Sequence, residues 1–280
     1  NLKIDRYILP APPPVPNVHV EIESRKVILY WQNNSESFLD PISQQADFEG
    51  YRVYGARKTM NEELGEFSLL LESDKINEIG YNTGFSMVQI TNEDGEPDSI
   101  YINGAFYHYK FENSDIKDGW MNYYSITAYD RGDPDANLES LESSVYANRV
   151  YVYPGISKPD ENGWDGIPSV YPNPYRGQAL WDGYSSRSKM IWFRNLPAVA
   201  EIRIFSLAGD LVDIIQHDVF YTGQDIDNID ESKAPLMSGG EHAWDMITMY
   251  DQAAASGLYL FTVEDKNSGT IKEGKFLIIK

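Results

Sequence analysis

Short runs of β-branched and aromatic residues, separated by glycine, proline and asparagine, recur along the whole chain of 280 residues. Tyrosine alone contributes 20 residues, and the turn-forming Gly and Pro number 21 and 15. Such runs are typical of half-buried strands, whereas helical periodicity is scarce. Together with the length, this predicts an all-β fold with two consecutive antiparallel β-sandwich domains, joined by a linker rich in proline and glycine.

The predicted strands form two groups. In the first half they cover residues 27–31, 48–54, 67–71, 100–102, 106–111, 123–129 and 145–152. In the second half they cover residues 189–193, 201–206, 211–217, 242–246, 257–264 and 272–279. The pair Asn103-Gly104 predicts a tight hairpin turn between two of the first group.

Two segments of different composition mark the domain boundaries. A run with five prolines lies within residues 1–16, which we interpret as a linker because such runs favour extended polyproline II. Residues 154–168 form a second, glycine-punctuated linker. The two sandwiches are therefore expected at residues 17–153 and 169–280. A spacer separates two domains, so a spacer at the start of this sequence predicts a further domain before Asn1.

Charge and cysteine content exclude several classes of function. The chain has no cysteine and a formal net charge of −20. Disulfides, thiolate metal sites and a cysteine nucleophile are thus excluded, and a nucleic-acid partner is disfavoured by the negative charge. The longest apolar runs are only about five residues, which is too short to span a membrane.

The first half resembles a fibronectin type III domain. The matching residues are Trp31 in the second strand, residues 50–54 (Gly-Tyr-Arg-Val-Tyr) in the third and residues 124–128 (Tyr-Ser-Ile-Thr-Ala) in the sixth. The resemblance implies a sandwich with a corner tyrosine at the start of the sixth strand, whose hydroxyl bonds back to the chain. The extra length indicates an insertion around residues 74–98.

The second half resembles the C-terminal sorting domain of the type IX secretion system. The similar segments are residues 170–174 (Val-Tyr-Pro-Asn-Pro), 202–212, 244–245, 255–260 and 274–280, in the order and spacing of that family. The resemblance covers residues 169–280. It assigns the sorting motif to Pro172, Asn173, Pro174, Gly209, Asp210, Gly257, Gly274 and Lys275.

The resemblance implies an exported protein. Members of that family enter the periplasm with a signal peptide and cross the outer membrane through the type IX translocon. The translocon and its cargo-handling proteins are then the expected partners, and the location is extracellular or on the outer cell surface. Two of the motif glycines, Gly209 and Gly257, lie at predicted turns, where we expect a positive φ or a close strand approach.

Catalytic motifs are missing from the sequence. The histidines are His19, His108, His217 and His242, and none belongs to a nucleophile elbow or a zinc-binding helix signature. No glycine-rich phosphate loop accompanies them. We therefore predict that the protein is not an enzyme.

Calcium is the one cofactor that the sequence suggests. Asn92, Asp94 and Asp98 surround a glycine, somewhat as in a calcium loop, although Pro97 interrupts the pattern. A second group of carboxylates lies in a predicted loop and consists of Asp225, Asp227 and Asp230. Both groups can equally be solvated acidic loops, since the whole chain is acidic.

The leading functional hypothesis is the non-catalytic C-terminal part of a secreted cell-surface protein. One sandwich would act as a spacer or adhesion module that contacts other surface proteins, copies of itself or glycans, and the other as the export address. One alternative is a structural subunit of an extracellular filament or surface layer, with pairing of exposed strand edges. Another is a carbohydrate-binding accessory module of an extracellular hydrolase, with Trp164, Trp181 and Tyr184 as its glycan platform.

Overall fold

The computed structural model describes residues 10–41, 44–57, 65–132, 138–157, 163–177, 190–224 and 235–280. Within these ranges all regular structure is β-strand, which confirms the predicted all-β class. The described part accordingly holds no helix with the length and apolar character that a membrane span requires. Each predicted strand overlaps an observed strand, and four further strands were not predicted.

The first sandwich contains two sheets. Its strands are β1 (Val18–Glu23), β2 (Lys26–Trp31), β3 (Phe48–Arg57), β4 (Ser68–Asp74), β5 (Ile100–Ile102), β6 (Ala105–Tyr107), β7 (Tyr109–Asn113), β8 (Asn122–Asp130) and β9 (Val150–Tyr153). One sheet has the order β1-β2-β7, and the other contains β9-β8-β3-β4. All of these pairs are antiparallel, and β5 and β6 form the predicted hairpin beside them.

Trp31 lies at the centre of the first core. Its ring packs edge-on against Tyr51 and stacks on Tyr109, with centroids 5.8 and 5.5 Å away. Both tyrosine hydroxyls donate to Glu36 Oε1, at 3.1 and 2.5 Å, so their polar ends are satisfied. Tyr124, at the start of β8, accepts a hydrogen bond from the Asn113 side chain at 3.0 Å. The expected corner tyrosine thus bonds to a side chain of β7.

The proline-rich run is bound to the first sandwich over its described part. The carbonyl oxygen of Pro14 accepts from Ser35 Oγ at 2.7 Å, and that of Pro16 accepts from Asn148 Nδ2 at 3.0 Å. Pro13 and Pro16 are buried. Residues 10–16 therefore pack against this sandwich, whereas the expected spacer would have stood free of it.

The second sandwich also contains two sheets. Its strands are β10 (Ser169–Tyr171), β11 (Tyr175–Arg176), β12 (Ile191–Arg194), β13 (Val199–Ser206), β14 (Leu211–Asp218), β15 (Leu236–Met237), β16 (Glu241–Trp244), β17 (Gly257–Asp265) and β18 (Ile271–Ile279). A sheet β10-β12-β16 faces a five-stranded sheet β11-β18-β17-β13-β14. The pairing is antiparallel except for β11 with β18, which run parallel.

Aromatic rings fill the second core. Phe193 from the small sheet packs edge-on against Phe261 and Phe276 of the large sheet, with centroids 5.2 and 5.9 Å away. Tyr259 stacks on Phe276, and Trp244 closes the group. These side chains come from alternate positions of their strands, so the large sheet buries one face and presents the other to solvent.

The two sandwiches are joined by more than the chain between them. Strand β15, which belongs to the loop after β14, pairs parallel with β9, with Leu236 opposite Val152 and Met237 opposite Tyr153. An apolar cluster lies across the joint. Its members are Tyr153, Met190, Trp192, Tyr221 and Ala243, with Met121, Tyr171 and Met237 packed against them.

The predicted second linker also packs on the second sandwich in its described parts. Ile156 accepts hydrogen bonds from Gly240 N at 3.1 Å and from Ser238 Oγ at 3.0 Å. Further along, Trp164 donates its Nε1–H to the Asn195 carbonyl at 2.7 Å, and its ring packs against the second core. Residues 154–157 and 163–168 thus belong to the folded unit.

Candidate functional site

The candidate site is the meeting point of the first and last segments of the second sandwich. Asn173 lies between β10 and β11, and its side chain spans to β18: Oδ1 accepts from Leu277 N at 3.1 Å and Nδ2 donates to the Lys275 carbonyl at 3.4 Å. Pro172 and Pro174 flank it, each after a cis peptide bond. The predicted motif residues at the two ends of the domain are therefore in direct contact.

Strand β11 extends this contact into a short parallel ladder. Tyr175 lies opposite Ile278, and Arg176 lies opposite Ile279. Gly177 N continues it by donating to the Ile279 carbonyl at 3.0 Å. The side chain of Tyr175 is buried in the core, whereas Arg176 is exposed. The start of the sandwich is thus added as an edge strand to its last strand.

Gly209 and Asp210 form the tight turn between β13 and β14. Gly209 has a φ of +92°, as predicted for this glycine, and its N–H donates to the Ser206 carbonyl at 3.0 Å. The Asp210 side chain accepts from Ser206 Oγ at 3.1 Å. Because Ser206 pairs with Tyr259, this turn lies at the same end of the large sheet as the beginning of β17.

Gly257 is the first residue of β17 and pairs with Ile278. The expectation of a positive φ or a close approach is wrong here, since its φ lies outside the left-handed region and an added Cβ would meet nothing within 4 Å. Asn173, Gly209, Asp210 and Gly257 nevertheless lie towards one end of one sheet.

Gly274 lies further along β18, and its role was not foreseen. It pairs with Phe261, and an added Cβ would lie 2.3 Å from the Phe261 ring. The glycine therefore makes room for an aromatic ring that packs across the strand pair. Its neighbour Lys275 faces outward opposite Leu260.

The two proposed calcium groups differ in what can be described. In the first, Asn92 Oδ1 accepts from the backbone N–H groups of Asp94 and Glu96 at 3.0 and 2.9 Å, so it closes a turn. The Asp98 side chain accepts from Ser99 N at 2.7 Å. No three acidic or histidine side chains gather into a metal-sized group in the described ranges. Asp225, Asp227 and Asp230 lie outside those ranges.

The proposed glycan platform is likewise only partly described. The Trp164 ring is partly buried, with Lys272 Nζ 4.2 Å from its centroid. Trp164 therefore contributes to packing and is not an open stacking surface. Trp181 and Tyr184 lie outside the described residues.

Two histidines bind each other in the interior near the joint. His217 Nδ1 lies 3.2 Å from His242 Nδ1, and His217 Nε2 lies 3.2 Å from the Gly239 carbonyl oxygen. Because a carbonyl only accepts, His217 carries its proton on Nε2, and its Nδ1 accepts from His242. Burial, and then the neighbouring His242, lower the pKa of His217 to about 3. The ring of Tyr221 stacks on His242 at 3.6 Å.

The structure also reveals outward-facing apolar residues that sequence reasoning missed. Leu260, Leu277 and Ile279 lie on the solvent face of the large sheet and are about two-fifths exposed. The signal was present, because residues 258–261 and 276–279 are unbroken apolar runs. An antiparallel strand with one solvated face should alternate instead.

No protein-family model matches the chain, and neither does any curated protein. Among solved structures, PorZ of the type IX secretion system of Porphyromonas gingivalis is 20% identical, with 40% of this chain and 11% of PorZ covered and a TM-score of 0.27. A two-domain fibronectin type III segment of chicken tenascin is 9% identical, with 95% of this chain and 99% of that segment covered and a TM-score of 0.28. Latent PorU from P. gingivalis is 12% identical, with 96% of this chain and 20% of PorU covered and a TM-score of 0.24.

The chain thus spans only a small part of PorZ and of PorU, and about the full length of the tenascin segment. Each TM-score is below 0.5, so we draw no functional conclusion from these likenesses. The all-β sandwich fold stands on the strand pairing described above.

Proposed function

We propose that the chain is a non-catalytic part of a secreted cell-surface protein, in which the second sandwich is the export address read by the type IX translocon. The observation that carries the proposal is the contact between Asn173 and the last strand. The motif positions, which are scattered over more than a hundred residues, lie on the large sheet or in the loops that border it. A folded surface would then be the address, and the first sandwich would serve as a spacer or adhesion module.

The placement of the histidines supports a non-catalytic role. His217 and His242 are hydrogen-bonded to each other through their Nδ1 atoms in the interior, and each is 3% exposed. A general base needs a proton of the substrate within hydrogen-bond reach. His217 is enclosed by the sandwich, and His242, which lines a pocket with Asp213 and Trp244, is engaged by His217 through its Nδ1.

A reporter protein tests the export proposal directly. A fluorescent enzyme with a signal peptide is fused ahead of residues 1–280 and expressed in a bacterium with a type IX system and in its translocon-deficient mutant. We expect the reporter at the surface or in the medium of the first strain and in the periplasm of the second. Retention in both strains, or release from both, would contradict the proposal.

A structural subunit of a filament or surface layer is the second candidate. It is favoured by β4, which ends its sheet and exposes Leu69 and Leu70 by 49% and 42%. The test is the mass of the purified chain in solution as its concentration increases. Ordered assemblies that are lost on Leu69→Lys would favour this candidate, and a monomer at all concentrations would exclude it.

A further inference from the structure

A pocket lies at the side of the second sandwich where both of its sheets end. Strand β14 is the last strand of the large sheet, and β16 is the last strand of the small sheet. Between them is a pocket of about 290 Å³, whose walls include Asp213, Ile214, Gln216, Trp244, Asp245 and Ile247. Small-molecule pockets in proteins measure roughly 300–1,000 Å³, so this one has room for a single long side chain.

The wall of the pocket contains two carboxylates that are held in place. Asp213 Oδ2 accepts from Trp244 Nε1 at 2.7 Å, and Asp213 Oδ1 accepts from Ile214 N at 2.8 Å. Asp245, which is exposed at the rim, accepts from Ile247 N at 2.8 Å. An ionised carboxylate offers about four lone pairs, so both groups can accept further hydrogen bonds.

These two carboxylates have no cationic partner in the described pocket wall, which contains no lysine or arginine. Burial raises the pKa of Asp213, and the nearby charge of Asp245 adds to this rise. Arg203, which the register places opposite Ile214, forms its ion pairs with two glutamates of the large sheet. The pocket therefore complements a cationic group, and the net charge of −20 attracts one.

Beside the pocket, the outer edge of β14 carries backbone groups without a partner. The carbonyls of Val212 and Asp218 accept from N–H groups of neighbouring loops at 3.0 and 3.2 Å, so the even-numbered residues of β14 turn their backbone away from β13. Ile214 and Gln216 lie between these two points. The carbonyl of Ile214 and both backbone groups of Gln216 have no hydrogen-bond partner among the described residues. A short length of strand edge is thus open next to the pocket.

A single extended segment fits both features. An antiparallel strand that bonds to Ile214 and Gln216 places its intervening residue opposite Ile215, whose side chain is buried on the inner face of the sheet. The intervening side chain then points into the gap between the two sheets. Asp213 is its diagonal neighbour on that face, roughly 7–8 Å away and within reach of a long side chain. In this mode of recognition the backbone bonds hold the segment and the pocket selects the side chain.

We propose that the open edge of β14 pairs with an extended segment of another protein, and that the pocket binds an arginine or lysine side chain of that segment. The guanidinium or ammonium group pairs with Asp213 and Asp245, and the flanking residues bond to the edge. Because few backbone groups are open, the contact is short and transient. This inference goes beyond the proposed export role and does not depend on it.

The test uses the full chain and a fluorescein-labelled peptide of alternating threonine and valine with one central arginine. Fluorescence anisotropy should show binding that weakens with added salt. Citrulline in place of the arginine keeps the shape without the charge and should weaken binding by about tenfold or more. N-methylation of the two residues that flank the arginine removes their N–H donors and should weaken binding to a similar extent.

Two variants of the protein test the carboxylates. Asp213→Asn and Asp245→Asn should each weaken binding of the arginine peptide by about tenfold and leave that of the citrulline peptide unchanged. Asp251→Asn is the matched control, because Asp251 is exposed in the same loop between β16 and β17 but lies outside the pocket wall. It changes the net charge equally, and asparagine tolerates the φ of +56° at this position. The control should bind like the parent.

No binding of the arginine peptide, equal binding of the citrulline peptide, or equal loss in Asp245→Asn and Asp251→Asn would overturn the proposal. Undiminished binding of the N-methylated peptide would exclude the strand pairing and assign the pocket to a free cationic group. Dimers of the chain that compete with the peptide would assign the edge to a second copy instead. Because Asp245 is exposed, Asp245→Asn keeps the test decisive even if Asp213→Asn unfolds.

Discussion

Gly274 is required by the ring that lies across it. An added Cβ would meet the Phe261 ring at 2.3 Å, and the Phe261 ring also packs edge-on against Phe193. We expect Gly274→Ala to lower the free energy of unfolding by about 1–3 kcal/mol, the usual cost of overpacking. Urea denaturation measures the effect.

Gly257 provides the matched control for that prediction. It lies on the neighbouring strand, has an ordinary φ and has open space where a Cβ would be. Gly257→Ala should therefore leave stability unchanged or raise it by up to about 1 kcal/mol, since alanine restricts the unfolded chain. Equal destabilisation by both substitutions would show that the ring contact is not the cause.

Asn173 is the second residue whose role is local and testable. Its amide makes two hydrogen bonds to the backbone of β18. We expect Asn173→Ala to cost about 1–2 kcal/mol and to speed hydrogen exchange at the Leu277 amide, whose acceptor is removed. Asn173→Asp keeps an acceptor for that amide and should retain most of its protection. Unchanged exchange in the alanine variant would contradict this role.

The structural role of a single residue was predictable where it depends only on neighbouring residues in the sequence. The positive φ of Gly209 follows from a turn that can be recognised in four residues. The reason for Gly274 depends on Phe261, a residue thirteen positions away that only the strand register brings opposite. The contact of Asn173 with Leu277 crosses 104 positions, and its identification as a motif residue came from resemblance alone.

Strand β15 shows that a two-residue element can join two sandwiches. Its backbone pairs with β9, while Tyr153 of β9 stacks on Trp192 of the second sandwich at 5.5 Å. Removing the Tyr153 ring should weaken the joint between the sandwiches more than it weakens the core of either one. Each sandwich has its own core apart from the joint cluster.

We therefore expect Tyr153→Ala to separate the melting of the two sandwiches. Differential scanning calorimetry should give one transition for the parent chain and two for the variant, with a loss of about 2–4 kcal/mol. Tyr250→Ala, at a tyrosine that is 70% exposed, should keep the single transition. Two transitions already in the parent would show that the joint does not couple them.

Elements with their own hydrophobic pattern were predicted, and those that depend on a distant partner were not. Strands β2, β8, β13 and β17 carry enough β-branched and aromatic residues to be recognised alone. Strands β11 and β15 have two residues each and exist because β18 and β9 offer an open edge. No window of sequence contains that information.

The pH dependence of stability is a property of the whole molecule. His217, near the end of β14, is buried against Gly239, which follows β15. Its pKa is lowered to about 3, so between pH 6.5 and 3 the unfolded chain binds a proton that the folded chain does not. Stability is therefore lost as pH falls through this window. The loss is about 2 kcal/mol at pH 5 from this group alone.

Urea titrations at pH 7, 6 and 5 measure this effect. His217→Phe should reduce the slope of stability against pH. Burial raises the pKa of Glu241, which changes stability with pH in the opposite sense, but Glu241 is present in both the parent and the variant. The same slope in parent and His217→Phe would contradict the assignment.

The joint also has a mechanical consequence. A pull along the chain between two sandwiches normally passes through one covalent segment. Here residues 154–157 and the loop that contains β15 run side by side across the boundary and are hydrogen-bonded to each other. We therefore expect tension and torque across the boundary to be resisted by two hydrogen-bonded segments, which makes the joint stiffer than a single covalent linker.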